Sequence, residues 1–306
     1  MRWTSLNMVH ELARQDERIV FLGSDLGPGT LDAMKAELPE RFFMEGVAEA
    51  NLIGMAAGLA LEGFIPYVNT IATFLTRRAF DQIVVDACLH NAPIRLIGNG
   101  GGLVYAPLGP THQAIEDIAI LRALPNMTIV APCDADEMRR LMPLTVDHPG
   151  PIYIRLAKGH DPVVSDPNVP FAIGRGLTRR HGDDALVVTT GITLGLALEA
   201  ADQLSKDGIE IEILHLPTVK PLDVEALLAV MRRVPRVVTV EEHTIIGGLG
   251  SAVAEVIAEE GIACRLVRLG IPDVFAERYG SQRALLDDFG ISVQGIIEAV
   301  ASGRQA

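Results

Sequence analysis

The sequence predicts an α/β protein of two doubly wound domains, each built around a mostly parallel sheet. Along the 306 residues, short apolar runs typical of strands alternate with amphipathic stretches of helical length. This alternation starts again in the second half, after a segment with three prolines and no clean periodicity. Aromatic residues make up only 5% of the chain, which favours alternating strands and helices over a β-sandwich.

The first half of the chain predicts five strands and four helices. The strands are expected at residues 19–22, 65–68, 94–97, 127–130 and 152–155. The helices are expected at residues 48–62, 75–91, 114–124 and 134–148. Helix-length connections between short apolar strands indicate a parallel sheet that is covered by helices on both faces.

The second half predicts a smaller, Rossmann-like domain of four strands and four helices. The strands are expected at residues 185–190, 210–214, 237–240 and 265–268. The helices are expected at residues 194–206, 223–233, 249–259 and 292–301. We therefore expect one domain at residues 1–160, a linker at 161–175 and a second domain at 176–306.

Composition excludes several classes of protein. The net charge of −13 and the pI near 5.0 argue against nucleic-acid binding, which depends on clustered Lys and Arg. The three cysteines have no CxxC spacing, and the histidines show no metal-ligand spacing, so neither a disulfide framework nor a metal site is expected. The chain has no apolar stretch of about 18 residues, and its start lacks a signal-peptide pattern. We expect a cytoplasmic protein without a membrane partner.

A carboxylate in an unusual setting is the first candidate site residue. Glu49 lies in GVAEANLIGMAAGLA, a predicted helix of small and apolar residues that follows a loop. An ionised carboxylate that is buried without a partner costs several kcal/mol, so a buried Glu49 predicts a bound partner. The alternative is that Glu49 lies on the solvated face of the first helical turn, where the helix dipole favours acids.

Three further candidates follow predicted strands, where ligands bind in open parallel sheets. His112 in GPTHQ is either a catalytic group or a satisfied loop residue. Arg155, which closes the strand IYIR, either binds a carboxylate or phosphate through its planar fork or forms an internal ion pair. Phe74 is by default a core aromatic residue. The glycine-rich segments 98–103 and 247–250 are interpreted as tight turns rather than nucleotide sites.

Six segments in order resemble the C-terminal half of transketolase-like, thiamine-diphosphate-dependent enzymes. They are GSDLGP (23–28), EGVAEANLIGMAAGLAL (45–61), TFLTRRAFDQI (73–83), GPTHQAIEDIAILRALPNMTIVAPCDADE (109–137), IRLAKG (154–159) and EEHTIIGGLGSAV (241–253). The resemblance covers nearly the whole chain and implies a pyrimidine-binding domain followed by a transketolase C-terminal domain. 1-Deoxyxylulose-5-phosphate synthase is similar over the same span.

The resemblance implies which residues bind the cofactor. Glu49 matches the glutamate that hydrogen-bonds N1′ of the aminopyrimidine, and this contact makes it catalytic as well. Phe74 matches the aromatic residue that stacks on that ring. Leu26 matches the apolar residue that holds the cofactor bent, and Asp25 would lie near its thiazolium ring.

The resemblance also implies a substrate side. His112 matches a histidine that donates to the developing alkoxide or to sugar hydroxyls, and Gln113 beside it is assigned to the substrate as well. Arg155 and Arg77 match arginines that contact a sugar phosphate. The expected reaction is transfer of a two-carbon ketol unit from a ketose to an aldehyde.

Three positions depart from the family pattern. Leu108 stands where the family has an acid before GPTHQ, Gly100 where transketolase has a histidine, and Gly29 where a serine contacts phosphate. The usual pentose phosphate is therefore not implied. A different ketose, a nucleotide-linked sugar or a 2-oxo acid remains open.

One family motif is absent from the sequence. The GDG motif, followed some 25–30 residues later by an Asn, holds Mg²⁺ and the diphosphate in the family, and this chain contains no such pair. The sequence therefore predicts the C-terminal subunit of a split transketolase. An N-terminal subunit would bind the diphosphate and Mg²⁺, and the assembly would be an α2β2 heterotetramer.

Other functions remain open at this point. The β subunit of a 2-oxo-acid dehydrogenase decarboxylase shares the same two domains, and a 1-deoxyxylulose-5-phosphate-synthase-like activity has similar motifs. A non-catalytic α/β regulatory subunit is a third class, which the changes at Leu108 and Gly100 keep open. A neighbouring lipoyl acyltransferase would favour the decarboxylase.

Overall fold

The computed structural model describes residues 1–24, 29–157 and 161–302. These residues form a seven-stranded sheet and a five-stranded sheet, both mostly parallel, with helices connecting the strands. Within the described ranges, no helix is both long and apolar enough to span a bilayer.

The larger sheet has the strand order β10-β5-β6-β4-β3-β1-β2. Its strands are β1 (Ile19–Gly23), β2 (Phe42–Met44), β3 (Ile65–Ile71), β4 (Arg95–Asn99), β5 (Thr128–Val130), β6 (Ile152–Leu156) and β10 (Thr218–Lys220). All neighbours are parallel except β10, which runs antiparallel to β5. The sequence did not predict β2 or β10, which are short strands at the two edges of the sheet, and β10 also lies between Pro217 and Pro221.

The helices of the first half are shorter and more numerous than the sequence predicted. They are α1 (Arg2–Gln15), α2 (Asp32–Glu37), α3 (Glu49–Leu61), α4 (Ala72–Arg78), α5 (Phe80–Gln82), a π-helical segment (Ile83–Leu89), α6 (Asp117–Arg122) and α7 (Ala135–Thr145). Two 3-10 turns, Pro39–Arg41 and Ala106–Leu108, accompany them.

Two predicted helices differ from the structure for identifiable reasons. The single helix expected at residues 75–91 is divided because the backbone at Ala79 (φ −103°, ψ 16°) leaves the helical region. The helix expected from residue 114 begins only at Asp117, since Ala114 exchanges backbone hydrogen bonds with Gly102 at 2.8 and 3.0 Å. The second change places Ala114 beside the loop that follows β4.

The smaller sheet has the order β12-β11-β8-β9-β7. Its strands are β7 (Leu177–Arg180), β8 (Ala185–Thr189), β9 (Ile211–His215), β11 (Arg236–Thr244) and β12 (Arg265–Ile271). Only β7, which was not predicted, is antiparallel to its neighbour. The helices are α8 (Thr193–Lys206), α9 (Val224–Met231), α10 (Leu249–Glu259), α11 (Gln282–Asp288) and α12 (Val293–Ala301).

The two halves share buried surface. Leu103, Ile115 and Cys133 from the first half lie in one hydrophobic cluster with Val187 and Val240 of the second sheet. Leu103 follows β4 and Val240 lies on β11, so this cluster joins the loop after β4 to β11, while β10 of the second half pairs with β5 of the first. The domain boundaries given above remain predictions.

Candidate functional site

Glu49 is buried at the start of α3, with 2% of its surface exposed. Gly46, at φ +67°, lets the chain turn into this helix, and an acid in the first turn complements the helix dipole. Oε2 of Glu49 accepts a hydrogen bond from Nη1 of Arg78 at 3.2 Å. The structure thus excludes the solvated-face alternative and provides the partner that burial requires.

Phe74 is only partly buried, and its ring contacts polar groups rather than a core. The guanidinium carbon of Arg78 lies 4.1 Å from the ring centroid, which is cation–π geometry. The ring of His112 meets Phe74 edge-on, with centroids 5.1 Å apart and planes inclined at 68°. We call Glu49, Phe74, Arg78 and His112 the Glu49 cluster.

The sequence identified three members of the Glu49 cluster and missed the fourth. Arg78 lies four residues after Phe74 on α4, a spacing that places two side chains on one helical face. This spacing was a usable signal, but the resemblance assigned Arg78 no role. β3 runs directly into α4, so Arg78 and Phe74 are positioned at the carboxyl end of the larger sheet.

His112 and Gln113 lie in the loop that precedes α6. Nδ1 of His112 is 2.9 Å from Oγ1 of Thr111, which orients the ring. Gln113 is 1% exposed, and neither its side-chain oxygen nor its nitrogen has a hydrogen-bond partner among the described residues. An unsatisfied buried amide is costly, so Gln113 has capacity for a ligand that enters this loop.

The partners of Arg77 lie outside the Glu49 cluster. Its guanidinium forms an ion pair with Glu116 through two nitrogens, and Nη2 donates to the carbonyl oxygen of Gln113 at 2.9 Å. The side chains of Arg77 and Glu116 are 34% and 28% exposed. Arg77 also lines an open groove of about 590 Å³ that includes Glu116 and Thr244.

Arg155 is enclosed in an ion pair. Nε donates to Oδ2 of Asp117 at 2.7 Å, and Nη2 donates to Oδ1 of Asp117 at 3.1 Å. Nη2 also donates to the carbonyl oxygens of Ala114 and Glu242 at 3.1 and 2.9 Å. Arg155 is 7% exposed and Asp117 is fully buried. This geometry favours the ion-pair alternative, and a substrate contact by Arg155 remains a prediction.

The ion pair belongs to a larger group that we call the interdomain polar cluster: Asp117, Tyr153, Arg155, Glu242 and His243. The Tyr153 hydroxyl donates to Asp117 at 2.6 Å. Burial acts to raise the pKa of Asp117, but the charge of Arg155 and the hydrogen bonds outweigh it and hold this pKa below its ordinary value. Burial raises the pKa of Glu242 to about 7.

Glu242 and His243 connect the two halves of the chain directly. Oε1 of Glu242 accepts hydrogen bonds from the Leu103 amide and from Nε2 of Gln282, both at 2.8 Å. Nε2 of His243 accepts from the Ala119 amide at 3.3 Å. The sequence offered EEHT only as a family motif, because contacts across more than a hundred residues leave no local pattern.

Four further residues were singled out in the sequence, two as cofactor contacts and two as departures from the family pattern. Asp25 and Leu26 lie outside the described residues. Gly100 has φ +73°, and a Cβ there would approach the Tyr105 ring at 2.2 Å, so Tyr105 occupies the space that a side chain would need. Leu108 is 50% exposed.

Within the described part of the chain, one group has the composition of a metal site. Cys133, Glu137 and His215 are buried with their ligand atoms within 4.8 Å of one another, although the sequence predicted no metal site. The Cys133 amide donates to Oε2 of Glu137 at 2.6 Å, and Nε2 of His215 lies 3.3 Å from the same oxygen. This group shares no residue with the Glu49 cluster.

The fold and the Glu49 cluster define a class: an α/β protein with a buried acid, an aromatic ring and a histidine together at the carboxyl end of its larger sheet. Family models give the class a name. The transketolase pyrimidine-binding domain matches residues 1–162, and the transketolase C-terminal domain matches residues 174–296. The chain belongs to the transketolase family, which confirms the resemblance and the α/β fold.

Individual relatives agree with this assignment. A 6-deoxy-6-sulfo-D-fructose transketolase subunit, SqwH, of Clostridium sp. is 36% identical over 98% of this chain and 92% of its own length. A solved split gene transketolase, an inactive β4 tetramer, is 39% identical with a TM-score of 0.90 and covers 98% of this chain and 96% of its own.

A third relative is longer than this chain. The 1-deoxy-D-xylulose-5-phosphate synthase 1 of Geobacter sulfurreducens is 42% identical over 94% of this chain, which spans only 46% of that enzyme. This chain thus corresponds to one part of the longer family enzymes and to nearly the whole of split subunits. The prediction of a split transketolase subunit is confirmed.

Proposed function

We propose that this chain is the pyrimidine-binding, C-terminal subunit of a thiamine-diphosphate-dependent transketolase. The assembled enzyme transfers a two-carbon ketol unit from a ketose to an aldehyde acceptor. The observation that carries this proposal is the buried Glu49 beside Phe74, with a planar donor already bonded to the carboxylate.

The Glu49 cluster fits the aminopyrimidine of the cofactor. A planar, nitrogen-rich cation lies over Phe74 and donates to Glu49, so the cluster accepts a planar donor of this chemistry. When bound, thiamine diphosphate supplies the electron sink that stabilises a carbanion. Glu49 would hold or move a proton at N1′, and Phe74 would orient the ring by stacking.

The substrate side is assigned to His112, Gln113, Arg77 and Arg155. His112 is half-buried beside Phe74, where it would donate to an oxygen that gains charge. Gln113 has two polar atoms without a partner among residues 1–24, 29–157 and 161–302, and these could bind sugar hydroxyls. Arg77, which is partly exposed on the groove, is better suited to an anionic group than the enclosed Arg155. Asp25 and Leu26 keep their proposed places next to the cofactor.

A partner subunit completes the site in this proposal. The sequence contains no GDG motif followed by an Asn, so an N-terminal subunit would hold the diphosphate and Mg²⁺. We propose an α2β2 heterotetramer in the cytoplasm, with the domain boundaries at residues 161–175. The solved relative that forms a β4 tetramer is described as inactive, which supports the need for a second kind of subunit.

A second candidate function is a 1-deoxyxylulose-5-phosphate-synthase-like reaction, which uses the same cofactor. The observation in its favour is the 42% identity to the Geobacter enzyme. The donor that the assembled enzyme accepts distinguishes this reaction from ketol transfer.

The test compares the isolated chain with the chain co-expressed with its N-terminal subunit. Calorimetry should detect no Mg²⁺-dependent thiamine diphosphate binding by the isolated chain near neutral pH, and clear binding by the pair. A screen of ketose and 2-oxo-acid donors then identifies the reaction. Tight Mg²⁺-dependent binding by the isolated chain would contradict the split site, and a pair that binds no cofactor would contradict the function.

A further inference from the structure

Arg78 contacts both residues that are assigned to the aminopyrimidine. Its guanidinium lies 4.1 Å from the centroid of Phe74, and its Nη1 donates to Glu49 at 3.2 Å. A guanidinium is planar, delocalised and rich in N–H donors, so it can stack and donate at the same time. Arg78 therefore makes the same two kinds of contact, stacking and donation to a carboxylate, that the proposed function assigns to the cofactor ring.

The two contacts are weakly held. The side chain of Arg78 is 48% exposed, and the bond to Glu49 is the one hydrogen bond that it makes within the described ranges. Exposed cation–π contacts and partly exposed ion pairs each contribute little, because water solvates a released guanidinium well. Arg155, with four hydrogen bonds and 7% exposure, has no comparable freedom.

Arg78 and Glu49 are affected differently when their contact breaks. Arg78 can swing into solvent and keep its hydration, but Glu49 is 2% exposed and would be left as a buried acid without a donor. Displacement of Arg78 is therefore favourable only if another donor reaches Glu49 at the same time. N1′ of an aminopyrimidine, stacked on Phe74, is a donor of the required kind.

We infer that Arg78 is a displaceable stand-in for the aminopyrimidine, which keeps Glu49 paired and Phe74 covered until the cofactor binds. Arg78 is on this view a positioning residue that competes with the cofactor, and the inference rests on the proposed function. Arg78 therefore lowers the affinity for the cofactor. In the isolated chain, the same contact keeps the Glu49 carboxylate paired with a donor while no cofactor is bound.

The test measures cofactor affinity of the reconstituted two-subunit protein by calorimetry, with no substrate present. Removal of the competitor in Arg78→Ala should tighten thiamine diphosphate binding about 4- to 25-fold, since each of the two lost contacts corresponds to a factor of about 2 to 5. Arg78→Lys keeps the charge but loses the planar stack, so its affinity should lie between those of the wild type and Arg78→Ala. Arg139→Ala, at an exposed arginine of α7, is the matched control and should change nothing.

The outcomes separate the inference from the function. Weaker or unchanged binding in Arg78→Ala, with wild-type binding intact, overturns the stand-in role and leaves the proposed function in place. A wild-type pair that binds no thiamine diphosphate overturns the function itself. If Arg78→Ala impairs assembly, the cofactor affinity of Arg78→Lys tests the inference instead. An affinity of Arg78→Lys at or below that of the wild type also overturns the inference.

Discussion

Two arginine–carboxylate pairs lie near the ends of the larger sheet, and they differ in almost every physical respect. Glu49–Arg78 has one hydrogen bond of 3.2 Å and an arginine that is 48% exposed. Asp117–Arg155 has two hydrogen bonds within the pair, further bonds from Arg155 to two carbonyl oxygens, and nearly complete burial. We call the first the exchangeable pair, because we infer that Arg78 gives way to the cofactor. We call the second the committed pair, because Asp117 is fully buried and Arg155 also donates to Glu242 of the other half of the chain.

This difference shows that the role of a candidate site residue depends on its burial and on its partners. Residue type and motif assigned both Arg155 and Glu49 to ligands, but only burial and partner number tell an available group from an occupied one. A buried pair that loses one member leaves an uncompensated charge, so its members are fixed by the cost of separation. In a half-exposed pair, the exposed member can move into water without leaving its own charge buried.

The largest expected effect comes from the exchangeable pair. Glu49→Gln should lower turnover of the reconstituted enzyme by about 10²- to 10⁴-fold, the range for a general acid–base group, because an amide cannot share a proton with N1′. Assembly and thermal stability should change little, since Gln keeps the shape and a hydrogen bond. Steady-state kinetics, sedimentation and thermal denaturation measure these three quantities, and near-normal turnover would remove Glu49 from the mechanism.

The next effect is on stability and comes from the committed pair. Asp117→Asn should lower the free energy of unfolding by about 3–5 kcal/mol, because Arg155 would remain buried without a counter-charge. Urea denaturation measures this loss. Glu116→Gln is the matched control, since Glu116 is 28% exposed and pairs with the partly exposed Arg77. Its loss should stay below about 1 kcal/mol, and equal losses in the two variants would refute the distinction.

A third effect is the pH dependence of stability at Glu242. Its pKa is raised to about 7 by burial, whereas an unfolded glutamate has a pKa near 4.5. Between these values the folded chain keeps a proton that the unfolded chain has lost, so the free energy of unfolding falls as the pH rises through this window. The contribution is about 3 kcal/mol in total, and it levels off above pH 7.

Glu242→Gln isolates this contribution. Its stability relative to the wild type should rise by up to about 3 kcal/mol between pH 4.5 and pH 8, as measured by urea midpoints at both values. The lowered pKa of Asp117 acts only at lower pH, where its stabilisation is lost on acidification. A pH-independent difference between the variant and the wild type would show that folding does not raise the pKa of Glu242.

The sequence predicted the fold better than it predicted the site. Short apolar runs and helical periodicity are local signals, so the central strands of both sheets and most helices were predicted to within a few residues. The edge strands β2, β7 and β10 were missed because their pairing depends on distant residues rather than on their own pattern. β10 even joins the sheet of the other half of the chain.

The same limit applies to the candidate site. Motifs identified Glu49, Phe74 and His112, which do lie together through Arg78. No local pattern predicts that Asp117 meets Arg155, since 38 residues separate them in the chain. The role of Arg155 therefore depends on packing, which only the three-dimensional structure describes.

The smallest effect concerns Arg77, whose character lies between those of the two pairs. Like Arg155 it has a carboxylate and a carbonyl partner, but like Arg78 it is partly exposed. If Arg77 turns to an anionic substrate, Arg77→Lys should raise KM for a phosphorylated ketose about 3- to 10-fold, because an ammonium cannot form two parallel hydrogen bonds. Its free energy of unfolding should fall by less than about 1 kcal/mol.

Arg155→Lys is the control for Arg77→Lys. Lys at position 155 cannot satisfy both oxygens of Asp117 and the two carbonyl oxygens, so stability should fall while KM per folded enzyme stays unchanged. Steady-state kinetics and urea denaturation of both variants in the reconstituted enzyme test the assignment. A rise in KM for Arg155→Lys but not for Arg77→Lys would reverse it, since the enclosed arginine would then have to leave Asp117 to reach the substrate.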